Sequence, residues 1–203
     1  MKHRSIIILL LLSLLMPLGA FAADTAEQIM TKCAAKINGS PSITIKCTLD
    51  FGKEPAACEI VIAKDKYALT MKDMDVWFDG LTQWTYAPST QQLSITEPTI
   101  DELMESNPFA ILNHYAKTYT VKRLATRATE IELTAKSKFS NVRRAILTLN
   151  PTTYMPQKLK VTLSNGRTFT ATVGSATIGK QLPASRFVYD KKKHPAKETV
   201  DLR

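Results

Sequence analysis

From Trp77 to Pro88 the chain reads WFDGLTQWTYAP, two short alternating runs on either side of an Asp-Gly pair. Asp79-Gly80 suits the positive φ angles of a two-residue type I′ turn, so the spacing predicts a tight hairpin in which Phe78 faces Leu81, Val76 faces Gln83 and Met74 faces Thr85. The other face then carries Trp77, Thr82, Trp84 and Tyr86, both tryptophans of the chain among them. An antiparallel sheet over a single core shows polar residues on its second face. Apolar groups on both faces mean that this hairpin is covered twice or borders a cavity, and a plain second packed layer weighs evenly against a lining.

The period of two continues on either side. It runs through Ile43, Ile45, Cys47 and Leu49, then Ile60 and Ile62, then Tyr67, Leu69 and Met71, with a short strand around Leu93 and Ile95. It resumes at Tyr119 and Val121, passes through Ile131, Leu133, Ala145, Leu147 and Leu149, and turns at Asn165-Gly166, which sets Leu163 against Thr168 and Val161 against Thr170. Helical spacing interrupts this rhythm in three places. Asp24, with Glu27 three residues on, predicts a capping box ahead of Ala26, Ile29, Met30, Cys33, Ala34 and Ile37, and Gly39 ends that helix. Thr99 and Glu102 form a second box before Ile100, Leu103 and Met104. Asn107 caps a third helix with Pro108 at its first position, carrying Phe109, Ile111, Leu112 and Tyr115. With about eleven strands and three helices and no repeat or linker, the chain reads as mainly β (α+β), one strongly curved antiparallel sheet holding its helices on one side.

Lys2, His3 and Arg4, the apolar run Ile6 to Met16 and the small residues around Phe21 predict a secretory signal peptide over residues 1–22, ahead of a single domain over 23–203. The apolar run is short of the ~20 residues that a spanning helix needs, and no later segment approaches that length. Ala23 rather than a cysteine stands directly after the predicted cut, so there is no lipobox and no lipid attachment is expected. In a bacterium with two membranes the destination is the periplasm. Removing Lys2 and Arg4 lowers the formal charge from +9 to +7. The basic residues are scattered apart from Arg143-Arg144 and Lys191 to Lys193, and no stripe of them interleaves with aromatics, which argues against nucleic acid as a partner. Of the three cysteines, Cys47 and Cys58 lie symmetrically about Gly52-Lys53 and are the candidate disulfide in an oxidising compartment. Cys33 falls on the apolar side of a helix as a buried thiol, its pairing with Cys47 or Cys58 being the alternative.

Motifs for catalysis do not emerge. His114 and His194 stand far apart without metal-ligand spacing, no G-x-S-x-G, H-E-x-x-H or phosphate-cradling glycine loop occurs, and no metal, cofactor or catalytic residue is expected. Asp73 and Asp75 share a strand face and are the one pair that a hydrolase could use, although a polar strand end gives the same pattern. The chain reads as a binder.

Three segments resemble the periplasmic outer-membrane lipoprotein carrier (LolA) family: Tyr67 to Pro88 with its Asp-Gly turn and W-x-Y-x-P ending, Pro108 to Leu112, and Pro183 to Leu202, where R-F-V-Y-D precedes V-D-L. The resemblance implies an incomplete barrel of about eleven strands whose helices cover the concave side and enclose an apolar cavity for lipoprotein acyl chains. It places Leu69, Met71, Val76 and Phe78 on the wall of that cavity, Phe109 and Leu112 on its lid, and Ile29, Met30 and Cys33 on the first helix closing it. It also implies a monomer that takes acylated lipoproteins from an inner-membrane ABC-type release complex and hands them to an outer-membrane receptor or to the outer membrane. A lipid-binding sensor or regulatory module of the envelope on the same fold is the alternative. Many carriers have a K-R-P-N segment whose arginine latches the lid. Here the stretch is Ala63-Lys64-Asp65-Lys66, leaving Lys64 as a single-donor latch candidate without the bidentate fork of arginine. Gln83 also stands where an apolar residue is common.

Overall fold

The computed structural model describes residues 24–52, 54–124 and 129–203; the expected signal peptide and Lys53 lie outside them. After helix α1 (Ala26–Asn38) come strands β1 (Ser42–Asp50), β2 (Ala56–Ala63), β3 (Lys66–Met71), β4 (Asp75–Phe78), β5 (Gln83–Ala87) and β6 (Gln92–Thr96). Helix α2 (Ile100–Ser106), a 3-10 turn (Pro108–Ala110) and helix α3 (Ile111–Thr118) lead into β7 (Tyr119–Arg123), β8 (Thr129–Ala135), β9 (Val142–Leu149), β10 (Pro156–Leu163) and β11 (Thr168–Gly179). A second 3-10 turn (Ala184–Phe187) precedes β12 (Glu198–Asp201).

All twelve of these strands form one curved sheet in the order β12-β6-β5-β4-β3-β2-β1-β11-β10-β9-β8-β7. It does not close, so β12 and β7 remain as edges, and the architecture is an incomplete barrel with three helices across its concave side. The β1–β11 pairing, Ser42 opposite Gly179 through Asp50 opposite Thr170, joins the two halves of the chain. Alternation puts Ile43, Ile45, Ile60, Leu69, Leu147 and Leu159 on the helix-facing side, where they meet Ile29, Met30, Phe109 and Leu112 in one core.

Four local expectations are corrected. The β4–β5 hairpin pairs Val76 with Thr85 and Phe78 with Gln83, leaving the four-residue loop Asp79 to Thr82. The Asp79 carboxylate accepts from the amides of Leu81 (3.0 Å) and Thr82 (2.9 Å), and only Gly80 in this loop, at φ 105°, is left-handed. Such an Asx-closed loop replaces the type I′ turn, and the register moves by two residues, so every side chain keeps its face. The Asn165-Gly166 turn has three residues, with Gly166 at φ 81° as a G1 bulge, and pairs Val161 with Phe169. Helix α1 is capped by Thr25 with Gln28 rather than by Asp24 with Glu27. Asp24 instead accepts from Lys32 (2.6 Å) and Tyr154 (2.7 Å), tying the start of α1 to the β9–β10 turn. Finally, the sheet is not antiparallel throughout: β12, the twelfth strand among the described residues and in keeping with the expected count of about eleven, lies parallel to β6.

The outward face of the Trp77 hairpin is covered by the segment after β11. Phe187, Leu182 and Tyr189 pack there on Val61, Ala68, Trp77, Tyr86 and Leu93. Both faces of β4 are therefore buried, the inner one by the helices and the outer one by this C-terminal layer.

Candidate functional site

Between the concave wall and the α2–α3 segment lies a cavity of about 480 Å³. Ile62, Tyr67 and Phe78 form its wall, and Leu103, Phe109 and Ala110 its lid, with Ile37 at the end of α1. Each position follows from local structure. Tyr67 and Phe78 are cross-strand partners with ring centroids 5.5 Å apart, and the Tyr67 hydroxyl donates to Gln83 Oε1 at 2.6 Å. Gln83 thus supplies a polar anchor for a ring at the wall. On the lid, the Asn107 side chain accepts from the Phe109 amide (3.1 Å), fixing the 3-10 turn that carries Phe109 and Ala110 inward.

Leu81 and Ile100 also border this cavity and remain 65% and 45% exposed, which leaves its mouth apolar on the solvent side. The rim adds Lys64, Asp65, Lys66, Glu97, Asn113 and His114. Burial, with a smaller contribution from Lys117, pushes the His114 imidazole below its usual pKa. The rim therefore mixes both signs around a neutral imidazole.

Lys64 sits in a two-residue turn between Ala63 and Lys66, at φ 56°. Its backbone carbonyl accepts a hydrogen bond from Asn113 Nδ2 of α3 at 3.3 Å. The turn and the lid are thus joined at this position through the main chain, which any residue at 64 would provide, with Asn113 as the donor.

Of the nine residues expected to line the cavity, Phe78 and Phe109 border it. Ile29, Met30, Cys33, Leu69, Val76 and Leu112 are each no more than 1% exposed within the core, and Met71 is partly buried against it. The centre of the half-barrel is filled by side chains, and the open space lies toward one end, under α2 and the 3-10 turn. Ile37, Ile62, Tyr67, Leu103 and Ala110 stand outside the expected set. Ile37, Ile62 and Tyr67 sit at the ends of apolar stripes, a terminal position that is the signal in the sequence that could have found them, whereas Leu103 and Ala110 lie within theirs and carry no such signal.

Cys47 and Cys58 are cross-strand neighbours joined by a disulfide, with Cα atoms 5.3 Å apart. Burial pushes the Cys33 thiol up to about 12, so it stays protonated and unreactive. Asp73 is exposed beyond β3, whereas Asp75 is buried on the outward face of β4 with His194 Nδ1 at 3.7 Å. Among the described residues no group of His, Cys, Asp and Glu is placed to hold a metal, and no helix is long and apolar enough to cross a membrane.

The family model described as outer membrane lipoprotein carrier protein LolA matches residues 18–167. No curated protein sequence matches the chain. Among solved structures, an uncharacterized conserved protein from Thermus thermophilus aligns with TM-score 0.57 at 12% identity, over 87% of this chain and 98% of that one. A LolA superfamily protein from Nitrosomonas europaea aligns with TM-score 0.49 at 12% identity, over 83% and 99%. A putative outer membrane lipoprotein-sorting protein domain from Vibrio parahaemolyticus aligns with TM-score 0.44 at 12% identity, over 80% and 95%. At such identities the likeness to the Thermus protein is one of fold.

Proposed function

The chain belongs to the outer membrane lipoprotein carrier protein LolA family, and from that premise we propose that it is a periplasmic carrier, shielding lipoprotein acyl chains between its sheet and its α2–α3 lid on the way from the inner to the outer membrane. The observation that carries this reading is the cavity of about 480 Å³, apolar on wall and lid and opening past Leu81 and Ile100. It falls within the range of about 300–1,000 Å³ typical of ligand pockets.

Magnitudes favour a shallow, openable grip. An acyl chain of about fifteen methylenes at roughly 0.8 kcal/mol each is worth on the order of 12 kcal/mol, so two or three chains cannot cross water bare. Complete enclosure would defeat release, because affinities saturate near roughly −18 to −21 kcal/mol. A cavity that covers part of the cargo, under a lid held to the β2–β3 turn by the Asn113–Lys64 bond, meets both demands. An inner-membrane ABC-type release complex then supplies the acylated lipoprotein, an outer-membrane receptor or the membrane itself accepts it, and the carrier works as a monomer.

The test is release of lipoproteins from spheroplast membranes by the purified protein, compared with Phe109→Asp, which puts a charge on the lid. Release by the wild type and its loss in the variant support the carrier. No release by either overturns it, and normal lipoprotein localisation after depletion moves the reading to a lipid sensor.

A further inference from the structure

The outer face of the sheet holds a second cavity, of about 360 Å³, on the side opposite the lid. Thr70, Asp75 and the Trp77 indole form its floor, and the segment running over β3 and β4 contributes Ser185, Arg186, Lys193 and His194. Its lining carries two carboxylates, Asp75 and Asp190, and two permanent cations, Arg186 and Lys193, beside His194. Asp75 lies 3.7 Å from His194 Nδ1, a pair that is ionic only with a protonated imidazole, and Asp190 is ion-paired with Lys193 at 3.6 Å. Arg186 is half-buried, and its guanidinium has neither an ion-pair partner nor a hydrogen-bond partner among the described residues; the exposed Ser185 hydroxyl beside it likewise has none. A cation drawn partly out of water without a counter-charge is unfavourable. The space beside it is where that counter-charge belongs.

We propose that this pocket binds a phosphate ester, carried by a membrane phospholipid or by a small soluble molecule. The planar fork of Arg186 matches an oxyanion. Ser185 and Lys193 add donors from other directions, which suits a tetrahedral phosphate better than a carboxylate that the fork alone would saturate. Trp77 and Val188 offer apolar surface to the organic part of the ester. From Lys180 to Lys197 the chain carries six Lys and Arg against the single acid Asp190, a field that concentrates anions at the pocket. The site does not depend on the acyl-chain cavity, and either reading survives failure of the other.

Two probes separate the sources: glycerol 3-phosphate, followed by calorimetry, and phosphatidylglycerol vesicles, followed by flotation. Each is run with the wild type, Arg186→Gln, Arg186→Lys and Lys191→Gln, the last removing the same charge outside the pocket. The proposal expects binding of at least one probe, weakened about tenfold or more by Arg186→Gln, partly restored by Arg186→Lys, and changed less than about twofold by Lys191→Gln. Binding of vesicles alone assigns the lipid source, and binding of glycerol 3-phosphate assigns the free ester as sufficient. The proposal is overturned if the wild type binds neither probe, or if Arg186→Gln weakens binding no more than Lys191→Gln does.

Discussion

Ala110→Phe tests whether the space under the lid is truly empty. Ala110 borders the cavity, is 9% exposed, and has φ −61° and ψ −23°, a backbone that accepts an aromatic side chain without strain. Fully burying a phenylalanine contributes about 1.5–3 kcal/mol. With one edge of the ring at the open mouth, about half of that is realised, and about 0.5 kcal/mol is lost to the lower helical propensity of Phe. The net gain is about 0.25–1 kcal/mol, or a rise in Tm of about 0.5–4 °C for a domain of this size. A filled interior would respond with the opposite sign, since overpacking costs about 1–3 kcal/mol. Urea and thermal unfolding give the stability, and a fluorescent acyl probe gives the binding. The account expects a more stable protein whose acyl affinity falls about tenfold or more. A less stable protein, or one that binds the probe as well as the wild type, would refute it.

Asn113→Ala removes the exposed 3.3 Å bond to the Lys64 carbonyl, worth about 0.5–1 kcal/mol, so acyl-probe association in stopped flow should quicken about two- to fivefold; unchanged rates would mean that the bond does not restrain the lid. The double substitution Cys47→Ala/Cys58→Ala opens a loop of sequence separation 11, which costs about 3 kcal/mol and lowers Tm by about 6–12 °C, and an unchanged Tm would contradict the linkage. Hydrogen bonds from Lys32 and Tyr154 hold the Asp24 carboxyl below the usual carboxylate range. A depressed pKa adds stability above the unfolded value that is lost as pH falls through the folded one, so the stability difference between wild type and Asp24→Asn in urea should be largest at neutral pH and shrink below about pH 4. A difference independent of pH would show that the carboxylate charge plays no part.

Most of the sheet was legible because alternation reports which side of a strand is apolar. The hairpin at Asp79-Gly80 illustrates the limit: its register is displaced by two because the Asp79 side chain closes a longer loop, yet Val76 and Phe78 still face inward and Trp77 outward. Strand β12 escapes a reading by period because it is short, mostly exposed and without alternation. At the site, periodicity identifies inward-facing residues such as Leu69 and Leu112 but carries no information on whether the volume in front of them is already filled. That depends on how the helices settle across the curve, which brings Leu103, Phe109 and Ala110 opposite Tyr67 and Phe78 from far along the chain. The Lys64 position is similarly half-legible. Its residue type points to a side-chain latch, whereas the contact uses the backbone carbonyl, which no residue pattern reports.

The central claim is that cargo acyl chains enter the space between lid and wall. A photoreactive amino acid at Leu103, inside the cavity, and another at Phe51, exposed just past the end of β1 opposite to the Ile43–Ile62 end that borders it, give the most direct measurement when the protein is incubated with membranes bearing acylated lipoproteins. The account predicts crosslinks to acylated lipoprotein from position 103 and none above background from position 51. Equal labelling at the two positions, or none at 103, would contradict it.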